Sequence, residues 1–319
     1  MLNFIYYPVS WIMLAWYKAF SLVLNPNWGI TWALSIVFLV FTLRILLFRP
    51  MANSMRSSRK MQEMQPKMAE LRAKYKNDSQ TLAIEMRKLQ KEMGFSPFAS
   101  CLPALVQMPI FIGLFHVLRS FNRTGTGTGQ LGMTIEQTRN TPNYGFGVTE
   151  VQSFLDARLF GAPLSSYISM PADAFHAFGS DVTRLNIVCV ALPMMVLSAL
   201  ATHFNARAMV QRTKARQAAN PNKNSQSPQM EMQAKLMNNM MLWFMPAMLL
   251  VTGVLWQIGL LTYMLANNVW TYGQQHYLFR KMDAEEAAEK EARKAVQKAT
   301  APKVGVKPQN NKKRGGKRK

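Results

Sequence analysis

The sequence predicts an all-α polytopic membrane protein with five transmembrane helices. Three observations carry this. Uncharged or nearly uncharged runs of span length recur along the 319 residues. The segments between them are polar. Their charge is uneven: 38 basic residues against 16 acidic ones leave a net charge of +22. That excess suits phosphate-bearing partners, either lipid headgroups or RNA. The two cysteines, Cys101 and Cys189, both fall in apolar runs, which excludes a disulfide framework. Residues 1–27 lack a basic n-region and a small-residue cleavage site, so no secretory signal is expected there.

The first element, 1–27, carries one charge, Lys18, and is rich in Trp and Tyr, residues that favour the membrane–water interface. It reads as an external interfacial helix ended by Pro26; a sixth span is the competing reading. The first span, 28–48, holds a single charge, Arg44. About 20 mostly apolar residues cross a bilayer core as a helix. A cation inside such a helix costs a few kcal/mol, so it needs a reason. A snorkelling arginine at the interface and a functional cation both fit its position.

Residues 50–94 read as a cytosolic helical hairpin. The stretch 49–93 holds eleven Lys/Arg and five acids. Met61, Met64, Met68 and Leu71 recur near the helical period, and Lys76 to Ser79 is a turn signal. Pro66 is expected to kink or start the first arm. The methionines either zip the two arms together or offer an adaptable contact surface for apolar segments.

The second span, 97–118, has prolines at 97, 103 and 109, with Gln107 between two of them. Such a helix is expected to face protein or water on one side. Residues 119–181 should form an external loop with one short amphipathic helix near 149–160. The third span, 183–204, carries Asn186, Ser198 and Thr202. A basic cytosolic loop follows at 205–235.

Residues 236–278 are uncharged and, as one helix, would extend about 65 Å, roughly twice a bilayer core. Two spans, about 237–254 and 259–278, must therefore turn near Gly253 to Gly259. The tail, 281–319, is helical in composition and then basic, with disorder expected after about 301. Its end clusters Lys312, Lys313, Arg314, Lys317, Arg318 and Lys319. Five spans put residues 49–93, 205–235 and 280–319 on one side, together holding 31 of the 38 basic residues. The positive-inside rule makes that side cytoplasmic, with the N-terminus outside.

The order of motifs is specific: an arginine-bearing span, the charged hairpin MQEMQPKMAELRAKYKND, then PFASCLPALVQMPIFIGLF, MMLWFMPAM and GLLTYMLANNVWTYGQQ. Over about residues 1–280 the chain resembles the YidC/Oxa/Alb family of membrane-protein insertases in its bacterial form. The resemblance implies five core helices around a hydrophilic groove open to the cytosol and to lipid. It puts the groove arginine at Arg44 and the second-span glutamine at Gln107. Its last-span motif falls on Gly259, Leu260, Tyr263, Asn268, Gln274 and Gln275. The chain departs from the family in having Gln257-Ile258 where a proline usually precedes the Gly-Leu. It also lacks the large external domain of Gram-negative members and a lipoprotein-type cysteine signal.

The implied function is insertion and folding of nascent membrane proteins at the bacterial plasma membrane, without nucleotide hydrolysis; no phosphate-binding loop is present. The expected groove residues are Arg44, Gln107, Asn186, Ser198, Thr202, Tyr263 and Asn268. Expected partners are nascent membrane proteins, the ribosome through rRNA contacts of the basic tail, the Sec translocon and anionic lipids. No enzyme activity, cofactor or metal is expected: His116, His176, His203 and His276 are scattered without ligand spacing. A transporter or channel, and a chaperone scaffold that does not insert, are the competing classes.

Overall fold

The computed structural model describes residues 2–92, 97–124, 131–171, 174–175, 178, 181–218 and 228–300. The chain divides into two compact units, Met1–Gly273 and Gln274–Lys319. It is mostly helical. Three helices are long and apolar enough to cross a membrane among the described residues: Gly29–Leu46, Arg184–Arg216 and Met232–Leu255. Leu105–Arg119 is a shorter apolar helix.

In the first unit, α1 (Asn3–Ser21) packs along α2 (Gly29–Leu46) and α5 (Pro97–Arg119). Small residues set how closely these elements approach. A Cβ at Gly113 would lie 2.6 Å from Ile5 of α1. One at Gly29 would overlap the backbone carbonyl of Arg158. Between α1 and α2, Tyr17 stacks on Trp32 at 3.9 Å.

The Ser153 hydroxyl ties this region together. It accepts from Tyr17 Oη (3.0 Å) and Trp32 Nε1 (3.1 Å) and donates to the Pro26 carbonyl (2.9 Å). One buried hydroxyl thereby satisfies three elements at once, using its full donor and acceptor capacity.

Ser153 lies on α7 (Val148–Asp156), in the segment expected to be a loop with one amphipathic helix. That helix is present, but it ends at Asp156 and the segment is far more structured. A capping box of Thr134 and Gln137 starts α6 (Ile135–Arg139). Strands β1 (Arg158–Leu159) and β2 (Ala162–Pro163) pair through a turn whose central residues, Phe160 (φ 51°) and Gly161 (φ 86°), both have positive φ. Positive φ at both positions matches the right-handed twist of a tight hairpin. Arg139 and Asp156 form a two-pronged ion pair at 2.8 and 2.7 Å, and the bond to Asp156 pushes the arginine's pKa up. Phe121, Phe146 and Phe154 pack with Trp32 as fully buried rings at one end of the helices.

The hairpin arms are α3 (Phe48–Lys74) and α4 (Ser79–Glu92). Asp78 caps the turn between them by accepting from the Thr81 amide at 3.0 Å. Helix α3 starts directly after α2 and runs unbroken past Pro66, so this proline does not start the arm. It lies chiefly along α5 and more briefly along α4.

Helix α8 (Arg184–Ala218) continues well beyond the expected end of its span. Much of the expected loop 205–235 is therefore helical: 205–218 belong to α8, and α9 (Pro228–Asn239) begins at Pro228. After α9 come a π-helical turn (Met240–Phe244), α10 (Met245–Thr252) and a 3-10 turn (Gly253–Leu255). Helix α11 (Ile258–Thr300) follows, so the reversal falls inside the expected 253–259 window. Helix starts leave amide donors unpaired. Here the Ser166 and Leu164 carbonyls accept from Ile258 N (3.1 Å) and Gly259 N (2.9 Å).

In the second unit the chain is helical to Thr300, and Lys290 pairs with Glu286 at 2.8 Å, an i,i+4 pair that supports the helix. The tail cluster Lys312 to Lys319 lies outside the described residues.

Replacing Gly29 by Ala is expected to lower the melting temperature in detergent by several degrees, because the methyl meets backbone that cannot yield. Gly273→Ala, with nothing within 4 Å of its added carbon, is expected to leave stability unchanged or raise it by up to about 1 kcal/mol. Thermal unfolding of the two purified variants checks the contrast.

Candidate functional site

The polar residues of the apolar helices gather along α11, in two groups on different faces. The first group faces α2 and α5. The Arg44 guanidinium is buried and donates from Nε to Asn267 Oδ1 at 3.1 Å, with a second, shorter bond from Nη2 to the same oxygen. Arg44 forms no ion pair among the described residues. Gln107 donates from Nε2 to Tyr263 Oη at 2.6 Å. Tyr263 and Asn267 are four residues apart and so share one face of the helix.

The second group joins α11 to α8. Thr202 Oγ1 donates to Asn268 Oδ1 (3.2 Å). Asn205 Nδ2 donates to the Asn268 carbonyl (3.1 Å) and to its Oδ1 (3.3 Å). Asn268 Nδ2 donates in turn to the carbonyls of Met264 (3.0 Å) and Ser198 (3.5 Å). Ser198, Thr202 and Asn205 recur at i, i+4 and i+7, so they form one stripe on α8. Adjacent residues on a helix point about 100° apart. That is why Asn267 and Asn268 reach two different neighbours.

Beside the second group is an open cavity of about 610 Å³. Phe204, Arg207 and Gln211 of α8 and Asn268, Val269 and Tyr272 of α11 line it. Phe204, Val269 and Tyr272 are all more than half exposed. The seam therefore offers apolar surface directly next to buried amides.

Six of the seven residues expected at the site, Arg44, Gln107, Tyr263, Ser198, Thr202 and Asn268, are drawn into these two groups. Asn186 is not. It accepts from Thr183 Oγ1 (2.7 Å) at the start of α8, about 18 Å of helix away from Ser198. On the hairpin, Met64 is fully buried and Met68 and Leu71 are half-buried, whereas Met61 faces out. Gln62 Nε2 also reaches Thr213 Oγ1 on α8, at 3.4 Å.

Three residues escaped the sequence reading. Asn267 was legible in principle, four residues beyond Tyr263. Asn205 was assigned to a loop because the end of α8 was set too early. His203 had no local signal. It lies on α8 opposite Pro246, and a proline has no N–H for the carbonyl four residues before it, here Leu242. His203 Nδ1 donates to that carbonyl at 2.8 Å, and its ring lies 4.8 Å from Trp243. The π-helical turn precedes the proline, with Met245 N bonding back to Met240 O. A π turn and a borrowed donor thus absorb the proline in an apolar helix.

Long apolar helices, buried amides and a buried arginine define an integral membrane protein of helical type. Comparison narrows the class. The family model described as 60Kd inner membrane protein matches residues 23–286. The chain is 45% identical over 316 residues to the membrane protein insertase YidC of Mycolicibacterium paratuberculosis, covering 98% of this chain and 85% of that one. It is 45% identical to the Mycobacterium leprae protein of the same name, covering 96% and 77%. A Streptomyces avermitilis relative, also so named, is 33% identical over 87% of this chain and 58% of its own. The chain belongs to the 60Kd inner membrane protein family, the YidC/Oxa group.

Replacing His203 by Phe is expected to cost roughly 0.6–2 kcal/mol in detergent stability, the range for a hydrogen bond between membrane helices. Gln, which can donate, is expected to recover most of it. Thermal unfolding of the two variants checks this.

Proposed function

We propose that this protein inserts nascent membrane proteins into a bacterial plasma membrane and helps them fold. The observation that carries the proposal is the state of Arg44. It is a buried cation whose partner among the described residues is a neutral amide, Asn267. A buried charge without a counter-charge is costly. A fold that keeps one has a use for an anion that comes and goes. Two further observations support the reading: membership of a family with relatives named as insertases, and the open seam between α8 and α11.

The physics of insertion fits. The apolar segment of a substrate gains about 25 cal/mol for each Å² it removes from water. The obstacle is its polar flank, because an isolated charge in hydrocarbon is strongly disfavoured. A fixed cation in a groove that lipid and cytosol both reach shortens the apolar distance that flank must cross. Arg44 attracts an acidic flank and holds it briefly. Gln107, Tyr263, Ser198, Thr202 and Asn268 offer hydrogen bonds along the way. The apolar segment then leaves along α8 and α11, past Phe204, Val269 and Tyr272. Release into lipid drives the step, and no nucleotide is consumed.

The proposed topology has five spans: α2, α5, the apolar part of α8, the α9–α10 run, and the part of α11 before residue 280. The N-terminus and residues 119–181 lie outside; the hairpin, the end of α8 and the tail are cytoplasmic. The aromatic cluster around Trp32 then closes the external end. The hairpin's exposed apolar side chains receive substrate segments. The basic tail binds ribosomal RNA by releasing counterions, alongside contacts to anionic lipid and to the Sec translocon.

Reconstituted into liposomes, the protein is expected to insert a small single-span substrate. Solute flux without insertion would overturn the proposal. For a substrate with an acidic flank, Arg44→Lys is expected to retain insertion, because the charge remains. Arg44→Ala is expected to lose most of it; insertion at the wild-type rate would sink the role of this cation. Removing residues 302–319 is expected to weaken ribosome co-sedimentation at low salt. An unchanged pellet at both low and high salt would remove the tail from the binding account.

A further inference from the structure

We propose that Asn267 is a charge-neutral positioning residue, which holds the Arg44 guanidinium by one edge and leaves the other edge for a substrate carboxylate. The inference rests on the insertase reading above and adds a residue to it.

A guanidinium has five N–H donors in a planar fork. Its side-on edge is made by Nε and Nη2, its end-on edge by Nη1 and Nη2. Both bonds to Asn267 use the side-on edge, and both go to a single oxygen, Oδ1. The end-on edge is the one that remains, and it has the geometry to take both oxygens of a carboxylate. Among the described residues, no carboxylate pairs with it.

The chemistry of the holder decides what the site can do. A carboxylate at position 267 would hold the arginine as well or better. It would also cancel the charge, and a substrate flank would have to compete with a permanent partner at close range. An amide has the same shape and accepts the same bonds, but it adds no charge. Asparagine therefore fixes the guanidinium on α11 and keeps the full positive charge available. Without a holder, a long arginine side chain near the end of a span relaxes toward the interface, and its charge leaves the groove.

The same helix shows that this is a placed residue. Tyr263, one turn earlier, receives Gln107 from α5. Asn267 receives Arg44 from α2. Asn268, one residue on, is saturated by α8 and the helix's own backbone. Asn267 is thus the amide of the pair that α8 does not claim.

The test uses the full chain in liposomes and two matched single-span substrates, one with an acidic translocated flank and one with its acids changed to the corresponding amides. The readout is the ratio of their insertion rates. Asn267→Asp is expected to lower insertion of the acidic substrate about tenfold, equivalent to 1.4 kcal/mol, and to lower that of the neutral one far less. Asn267→Gln, which keeps a neutral acceptor, is expected to retain the wild-type ratio. Asn267→Leu is expected to reduce the preference for the acidic flank without abolishing insertion of the neutral one.

An equal loss for both substrates in Asn267→Asp would mean that the residue only supports the fold, and would overturn the proposal. So would a wild-type ratio in Asn267→Asp when Arg44→Ala changes it, and in that case the groove cation would survive as a reading. If Arg44→Ala also leaves the ratio unchanged, the groove-charge reading fails and this inference fails with it.

Discussion

A buried cation with a neutral partner is the constraint on which the arrangement of this protein turns. Arg44 sits at the end of an apolar helix and bonds to Asn267 of α11. The pairing resolves one problem and leaves another. The amide satisfies two N–H donors that would otherwise be orphaned in a low-dielectric setting. It does nothing to neutralise the charge. In a protein built only for stability, an apolar residue of similar volume would do better, since buried ion groups rarely repay their desolvation. The persistence of an uncancelled charge therefore argues for a working role.

The other polar groups fall into place around that constraint. Residues 267 and 268 divide the labour of α11 because a helix turns about 100° between them. One amide serves α2, the other α8. Side-chain hydrogen bonds, chiefly of Asn205, Thr202 and Asn268, consequently tie the α8 seam. Hydrogen bonds between membrane helices are modest, about 0.6 kcal/mol on average. Parting those few bonds therefore adds only a modest cost to opening the seam.

The sequence disclosed most of the elements and much of the site. Hydropathy and charge located the helices, and the 236–278 run was too long for one span, which placed the turn near Gly253 to Gly259. Four things were hidden, each for a physical reason. Asn267 was masked by its neighbour: two adjacent asparagines look alike until the helix phase is fixed by Tyr263. The extension of α8 beyond its apolar part carries Arg207, Arg212, Lys214 and Arg216, and a basic polar composition reads as loop when tertiary contacts are unknown. His203 matters only because Pro246, on another helix, cannot supply the donor that Leu242 needs. No local pattern in α8 contains that information. The packing of residues 131–171 was likewise invisible, since the Ser153 hydroxyl joins Tyr17, Trp32 and Pro26 across more than a hundred residues of chain.

The two ends of the helical unit differ in kind, and that difference bears on direction. At the Trp32 end, fully buried aromatic rings and a saturated hydroxyl leave no room for a guest, and opening them would forfeit large apolar areas at once. Along α8 and α11, polar side-chain bonds join the helices beside an open cavity. On the proposed mechanism, a peptide segment engaged at Arg44 meets a higher barrier toward the aromatic cluster than toward the seam. On the proposed topology, the seam faces lipid. A polar flank can be held at the cation while its apolar neighbour partitions sideways, and only the flank's last stretch must cross a shortened apolar layer. On that proposal, directionality follows from where the fold places its aromatic residues and its amides, and the transfer of the substrate's own apolar surface into the bilayer supplies the driving force.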